Sequence, residues 1–377
     1  MTLYSFVLNP YLSLGVMPET GSGYWPKAGH INTALQDQAL SDEIGLSSAN
    51  PQMQAVLDQL DMLGGSPIEN LDAGQAREQP TFADAVKALL SKRGESAAPQ
   101  PVGEVKNIDV AGAESEIPLR IYWPQGLAAA PYPVIVYYHG GGWVMADIDT
   151  YDSSARSLAN AAGAIVIAAR YRQAPEHKFP AAHEDAYTSY QWALAHAESL
   201  GGDSKRVAVA GEGAGGNMAA GVAIRARDEH IQLPIHQLLI YPVTNCTFDT
   251  ISQQQNNHAK PLNTPMLSWF YEKYLSRPGD GANPVFSILR TEDLSGLPSA
   301  TVITAELDPL RSEGEAYAEC LQRAGIDVDY KNYEGVTHEF FGMGAVLDQA
   351  KLAVEQAAMS LRIAFNNGAF PGYGDLE

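Results

Sequence analysis

The chain predicts an α/β fold, a mostly parallel central sheet with helices on both faces and a helical cap. Three observations predict it. From residue 105 onward, short apolar runs alternate with helical stretches, the chain order that parallel strands joined by crossover helices require. Residues 207–217, VAVAGEGAGGN, pass from an apolar run through a glycine-rich corner into an alanine-rich helical pattern. Two regions without strand signals, one before the alternation and one inside it, carry apolar residues at helical spacing and have to bury them against something.

At 377 residues, 45% hydrophobic and 18% charged, the chain can bury a substantial core. Its formal net charge of −20 repels phosphate backbones and anionic lipid, which argues against nucleic-acid and membrane partners. Cys246 and Cys320 are too few for a disulfide framework and lack metal-ligand spacing. Cys320 shares an apolar stripe with Tyr317, Leu321 and Ala324 and reads as a small core residue. His30, His177, His183, His196, His230, His236 and His258 show no paired zinc spacing, so no metal is expected. The first 26 residues hold no Lys or Arg, and their apolar start breaks at Asn9-Pro10. That pattern does not fit a secretory signal, and a cytoplasmic location is expected.

Residues 1–98 read as an N-terminal helical cap segment. Within it, Met53, Val56, Leu57, Leu60 and Leu63 recur at helical spacing over 51–63, and 82–90 repeats the pattern. The stretch 94–103, GESAAPQPVG, is a linker by composition. Residues 99–244 form the first part of the core. They offer an alternating strand at 117–123 and a continuous apolar strand at 133–138, which runs into His139-Gly140-Gly141-Gly142-Trp143. A helix at 153–162, a strand at 164–169, a helix at 181–200, the corner with its strand and helix, and a strand at 238–243 follow. Residues 245–290 read as an insertion that joins the cap, turn-rich to 263 and then an aromatic helix over 265–275. Residues 291–377 complete the core with a strand at 300–305, a helix at 311–324 closed by Gly325, a strand at 328–333, a helix from 345 to about 364, and a loose tail from 366.

The chemistry gathers where these strands end. Gly211-Glu212-Gly213-Ala214-Gly215 has the shape of a nucleophile elbow, G-x-S-x-G, but glycine replaces the serine that would attack a carbonyl. Gly213 can hold the strained backbone of such a corner. The triple glycine after His139 lets backbone N–H groups approach a developing alkoxide, and such donors are worth on the order of 3 kcal/mol each. Neither a Lys-Ser/Thr nor a completed G-x-G-x-x-G accompanies it, which disfavours a nucleotide loop. Asp308 follows one strand and His338 the next, at carboxyl ends where open α/β sheets keep their ligands. His338 is suited to move a proton and Asp308 to orient it; Glu306 precedes the turn and is a less well-placed carboxylate.

These residues together resemble the hormone-sensitive-lipase-like family of α/β-hydrolase carboxylesterases. The resemblance rests on YYHGGGW (137–143), ARYRQAPEHKFPAAHEDA (169–186), the elbow, ELDPLRSEG (306–314) and GVTHEFFGM (335–343), and covers about residues 50–365. It implies hydrolysis of carboxylic esters, short-chain or small aromatic ones, through a Ser-His-Asp acyl-enzyme, without cofactor or metal. It further implies Gly213 at the nucleophile position, Asp308 and His338 as its triad partners, Gly140, Gly141 and Ala214 as oxyanion donors, and a homodimer as a form many members take. Trp143, Phe248, Trp269 and Phe270 are expected near the substrate, with Trp25 and Tyr274 as further cap aromatics; the cap aromatics and Phe248 have the alternative of packing the cap onto the core. The elbow departs from the family's G-D-S-A-G at two positions, mildly at Glu212 and disablingly at Gly213. Two origins of Gly213 follow: an engineered replacement of serine, favoured because Asp308, His338 and the glycine loop are kept, or a natural pseudoenzyme that binds a small ligand.

Overall fold

A computed structural model describes residues 48–126 and 130–367. Strands β1 (Glu104–Ala111), β2 (Glu116–Trp123), β3 (Tyr132–Tyr138), β4 (Ile165–Ala169), β5 (Gly202–Glu212), β6 (His236–Ile240), β7 (Ser299–Leu307) and β8 (Val328–Thr337) form one sheet in the order β1-β2-β4-β3-β5-β6-β7-β8. β1 and β2 pair antiparallel, as do β2 and β4. All other pairs are parallel. The carboxyl ends of β3, β5, β6, β7 and β8 therefore meet at one edge, and the segments that leave them can share a site.

Both faces of the sheet are covered, which explains why β3 is apolar without alternation. Val134, Val136 and Tyr138 face one core, and Ile135 and Tyr137 face the other. Helices α5 (Ala181–His196), α6 (Ala214–Asp228) and α9 (Arg311–Arg323) line the first face; α4 (Asp152–Ala162) and α10 (Asp348–Asn367) line the second.

The N-terminal helices dock on the same molecule. α1 (Pro51–Leu63) starts where the Asn50 side chain accepts from the amide of Met53 and Pro51 fills the first helical position, where its missing N–H costs nothing. Asn50 also donates its own amide to the Gly335 carbonyl at 2.8 Å, beside the end of β8. α3 (Phe82–Arg93) opens on a Thr81/Asp84 capping box and closes on left-handed Gly94. Between them α2 (Ala73–Arg77) carries Arg77, whose guanidinium donates to the carbonyls of Val144 (2.8 Å) and Ala174 (2.7 Å) and clasps both oxygens of Glu176. The inserted α8 (Thr264–Tyr274) meets this segment where Trp269 Nε1 donates to the Leu71 carbonyl at 2.9 Å.

Several boundaries differ from the sequence reading. α7 (Ile251–Gln255) forms in a stretch read as turn-rich, and α2 in one given no element of its own; each has a complete capping box, Thr250/Gln253 and Asp72/Gln75, which satisfies amides of a very short helix. β6 stops at Ile240 instead of 243: Tyr241 takes φ 35°, and Pro242 has no N–H to continue a ladder. α10 begins at Asp348, tied to Gln52 by two hydrogen bonds, and runs through residues 366–367 that were read as tail. Cys320 is half-buried and packs at the margin of the core. Residues 1–47, including Trp25, lie outside the described residues, as does the rest of the tail.

Candidate active site

The corner after β5 is built by glycine. Gly213 adopts φ 55° and ψ −114° and caps α6, a backbone that costs an L side chain on the order of 1–3 kcal/mol. Its amide donates to the Ile240 carbonyl at 2.9 Å. A Cβ on Gly215 would stand 1.9 Å from the Tyr138 carbonyl oxygen, so the strand and helix could not approach this closely with any larger residue. Ala214 is the first residue of α6, where amides lack intrahelical acceptors and the helix presents its positive end.

His338 follows β8 and Asp308 follows β7. His338 Nδ1 lies 2.7 Å from Asp308 Oδ2, and both side chains are buried. The other oxygen of Asp308 accepts from the Leu310 amide at 2.8 Å, which fixes the carboxylate. With Asp308 as acceptor, Nδ1 carries the proton and Nε2 is left to accept. Nε2 faces the corner: a Cβ placed on Gly213 would lie 3.1 Å from Nε2, 3.5 Å from Cε1 and 4.0 Å from the Gly140 Cα. Burial pulls the imidazole pKa down, but the charge and hydrogen bond of Asp308, with Glu339 and Glu212 behind it, leave it raised above the ordinary histidine value.

The glycine loop is oriented from behind. Tyr171 Oη sits 3.0 Å from the carbonyl oxygens of both His139 and Gly140. Because trans peptides point N–H opposite to C=O, the Gly140 and Gly141 amides turn away from Tyr171. His139 stacks on that ring at 4.4 Å and is held neutral, burial lowering its pKa to about 4.

The four aromatic residues expected near substrate separate. Trp143 is fully buried and stacks on Tyr274 at 4.7 Å with a 4° interplanar angle. Tyr274 Oη meets His183 Nδ1 at 2.7 Å, His183 Nε2 meets Asn217 Oδ1 at 2.9 Å, and Asn217 donates to the carbonyls of Val243 and Phe286. Trp143 thus braces the glycine loop against α8 and α6 from its inner side. Phe270 lies directly on Gly142, where a Cβ would fall 2.2 Å from the ring. Trp269 packs edge-on against Phe270, and Phe248 packs on Tyr271.

A cluster that the sequence reading did not assemble lies beside His338. Glu212 is buried and accepts from Tyr137 Oη at 2.5 Å and from Tyr241 Oη; burial outweighs these bonds and raises its pKa to about 7. Glu339 takes φ 71° and accepts from Tyr151 Oη at 2.6 Å. Tyr151 in turn lies against Gly140, where a Cβ would be 2.3 Å from its oxygen. The Tyr241 ring packs 4.4 Å from the His338 ring. Tyr241 directly follows the end of β6, but it lay inside the apolar stretch read as strand, so no sequence signal marked it; the two carboxylates showed only as residues inside quoted motifs. Glu306 Oε2 accepts from the Gly335 amide at 2.7 Å and so braces the turn on the approach to His338.

Glu313 makes a further acid with a testable consequence. It is buried; burial raises its pKa to about 8 against the opposing amides of Thr244 and Asn245, with Asp308 adding to the rise. A carboxyl that titrates higher folded than unfolded contributes stability at low pH, and that contribution is lost as pH rises from about 4.5 through about 8. Glu313→Gln should flatten the urea midpoint over this window and leave the variant more stable than its parent above pH 8. A slope unchanged by the substitution would contradict this placement.

Among the described residues, no cluster of three His, Cys, Asp or Glu side chains suits a metal ion, and no helix is long and apolar enough to cross a membrane. Residues 135–342 match the family described as alpha/beta hydrolase fold. The chain belongs to that family. Its relatives place this α/β-hydrolase among the hormone-sensitive-lipase-like esterases. It is 35% identical to ethyl acetate hydrolase of Pseudomonas putida over 310 residues, 80% of this chain and 95% of that protein. It is 37% identical to an arylesterase of Saccharolobus solfataricus over 262 residues, 68% of this chain and 82% of that one. The solved structure of an ester hydrolase from the metagenome of Lake Arreo, complexed with a derivative of bipyridine phosphonate, matches with a TM-score of 0.76 and 39% identity, covering 84% of this chain and 99% of that chain. This α/β-hydrolase thus stands in the carboxylesterase class.

Proposed function

We propose that this α/β-hydrolase carries an acyl-enzyme esterase site from which the attacking hydroxyl has been removed, Gly213 standing as an engineered replacement of serine. The observation that carries the proposal is the His338 imidazole, held by Asp308 at 2.7 Å and presenting Nε2 3.1 Å from the place of a residue-213 Cβ. That separation is a few tenths of an ångström short for a Cβ contact, so with serine present His338 draws back slightly and its Nε2 accepts the hydroxyl proton. The serine oxygen then attacks the ester carbon, and the negative charge on the carbonyl oxygen is met by the amides of Gly140, Gly141 and Ala214. His338 returns the proton to the leaving alcohol, and water repeats the cycle on the acyl-enzyme.

Residues 48–98 and 245–290 act as a cap; Arg77 and the Trp269–Leu71 bond, which tie them to the glycine-loop segment and to each other, support this. Phe270, which lies on Gly142, and Trp269, which packs on Phe270, form the pocket wall nearest the glycine loop. Short-chain and small aromatic esters are the substrates, in keeping with relatives named for ethyl acetate and for aryl esters.

An aryl phosphonate tests the constellation in one step. Gly213→Ser should gain one phosphonyl adduct, located at residue 213 by peptide mass spectrometry, and the Gly213 protein none. If the serine form stays unlabelled while the glycine form binds a small ligand tightly, the site belongs to a pseudoenzyme.

A further inference from the structure

Of the three glycines in the loop after His139, only Gly141 (φ 93°) and Gly142 (φ 60°) have a positive φ, so backbone angle does not explain glycine at 140. A neighbour does. A Cβ on Gly140 would fall 2.3 Å from the Tyr151 hydroxyl oxygen and 3.0 Å from its Cζ. Tyr151 is buried and directly precedes α4, so its phenol reaches the loop from a fixed base. Its hydroxyl donates to Glu339 Oε1 at 2.6 Å, and Glu339 is the residue after His338. Glu339 makes this contact from φ 71° and ψ 2°, a left-handed backbone that L side chains resist. Ser153 on α4 adds a second tie to the same segment, donating to the Gly342 carbonyl at 2.6 Å.

Resting on the reading above, we propose that Tyr151 and Glu339 are positioning residues, a strut that fixes the glycine loop against the histidine segment. One end of the strut is the hydroxyl against Gly140, whose Cα lies 4.0 Å from a residue-213 Cβ. The other end is the carboxylate beside His338. Asp308 fixes the imidazole ring and Tyr171 the carbonyls of His139 and Gly140, but neither joins the base to the loop. Tyr151 and Glu339 do, across 188 positions of chain. Without that bond the Gly140 and Gly141 amides and His338 Nε2 lose their common frame, and donors aimed at a developing oxyanion act only when their geometry is preset.

The test is steady-state hydrolysis of p-nitrophenyl acetate in the Gly213→Ser background. Tyr151→Phe and Glu339→Ala should each lower kcat by about tenfold, because misplacement of a catalytic group by an ångström costs about a hundredfold. KM should be unchanged, as for an interaction realised in the transition state. The double variant should lose no more than either single one, since both remove the same bond. Glu339→Gln keeps an oxygen that accepts from Tyr151 and should stay within about threefold of Gly213→Ser. Losses that multiply in the double variant, or Glu339→Gln as slow as Glu339→Ala, overturn the proposal, the latter by showing that the carboxylate acts through its charge. An active Gly213→Ser whose kcat ignores Tyr151→Phe refutes the strut alone; an inert Gly213→Ser refutes the underlying esterase reading and the strut with it.

Discussion

Gly213→Ser is expected to raise turnover of p-nitrophenyl acetate by about 10⁴-fold or more, because loss of a triad nucleophile elsewhere costs about 10⁶ in kcat. A 10⁴-fold gain is about 5 kcal/mol of barrier, and the proposed partners stand close by: Asp308 against Nδ1, Nε2 facing residue 213, and the Gly140 Cα 4.0 Å from the new Cβ. The same change should lower stability by about 1–3 kcal/mol, since serine must hold φ near 55° where only glycine is unstrained. Activity and stability moving in opposite directions distinguish a restored function from a generally improved fold. Stopped-flow kinetics should show a burst of nitrophenol equal to the enzyme concentration. A serine form with no burst and a rate within tenfold of the glycine form would mean that His338 does not reach the hydroxyl.

In that serine form, Asp308→Asn should reduce kcat by about 10⁴-fold. Asparagine's amide group can present N–H to Nδ1, which then must accept, so the ring proton shifts to Nε2 and blocks the hydroxyl proton from leaving. The pH dependence gives an independent reading. His338 must be neutral to act as base, so kcat/KM falls as pH drops through its pKa, which lies above the ordinary histidine value. With Asp308 neutralised, the largest influence raising that pKa is gone, and the acid limb should move to lower pH. The limb should stay partly elevated, because Glu339 and Glu212 also favour the imidazolium. A limb that does not move would assign the raised pKa to those two carboxylates instead.

Much of the architecture was legible because it is local. Each parallel strand announces itself as an apolar run covered on both faces, and the corner at 211–215 as glycines flanking a strand–helix junction. The failures were also local in cause. The helices at 73–77 and 251–255 are too short for an apolar stripe and exist through their capping boxes. The end of β6 was overrun because apolarity continues through Tyr241 to Val243, while the backbone turns at a φ of 35° that hydrophobic pattern does not register.

The sequence by itself determined the strand–helix alternation and the order of glycine loop, corner, acid and histidine, each after its own strand. Parallel pairing needs nothing more to bring those strand ends to one edge. The tertiary structure alone decided what surrounds them. Tyr137 from β3, Tyr241 beyond β6, Glu212 from β5 and Glu339 beyond β8 become one buried hydrogen-bonded and charged group around His338, and Trp143 turns inward to stack on Tyr274. Such contacts join residues about 30 to 190 positions apart. Their energies depend on burial and on hydrogen-bond geometry that exist only once the sheet has closed its two faces.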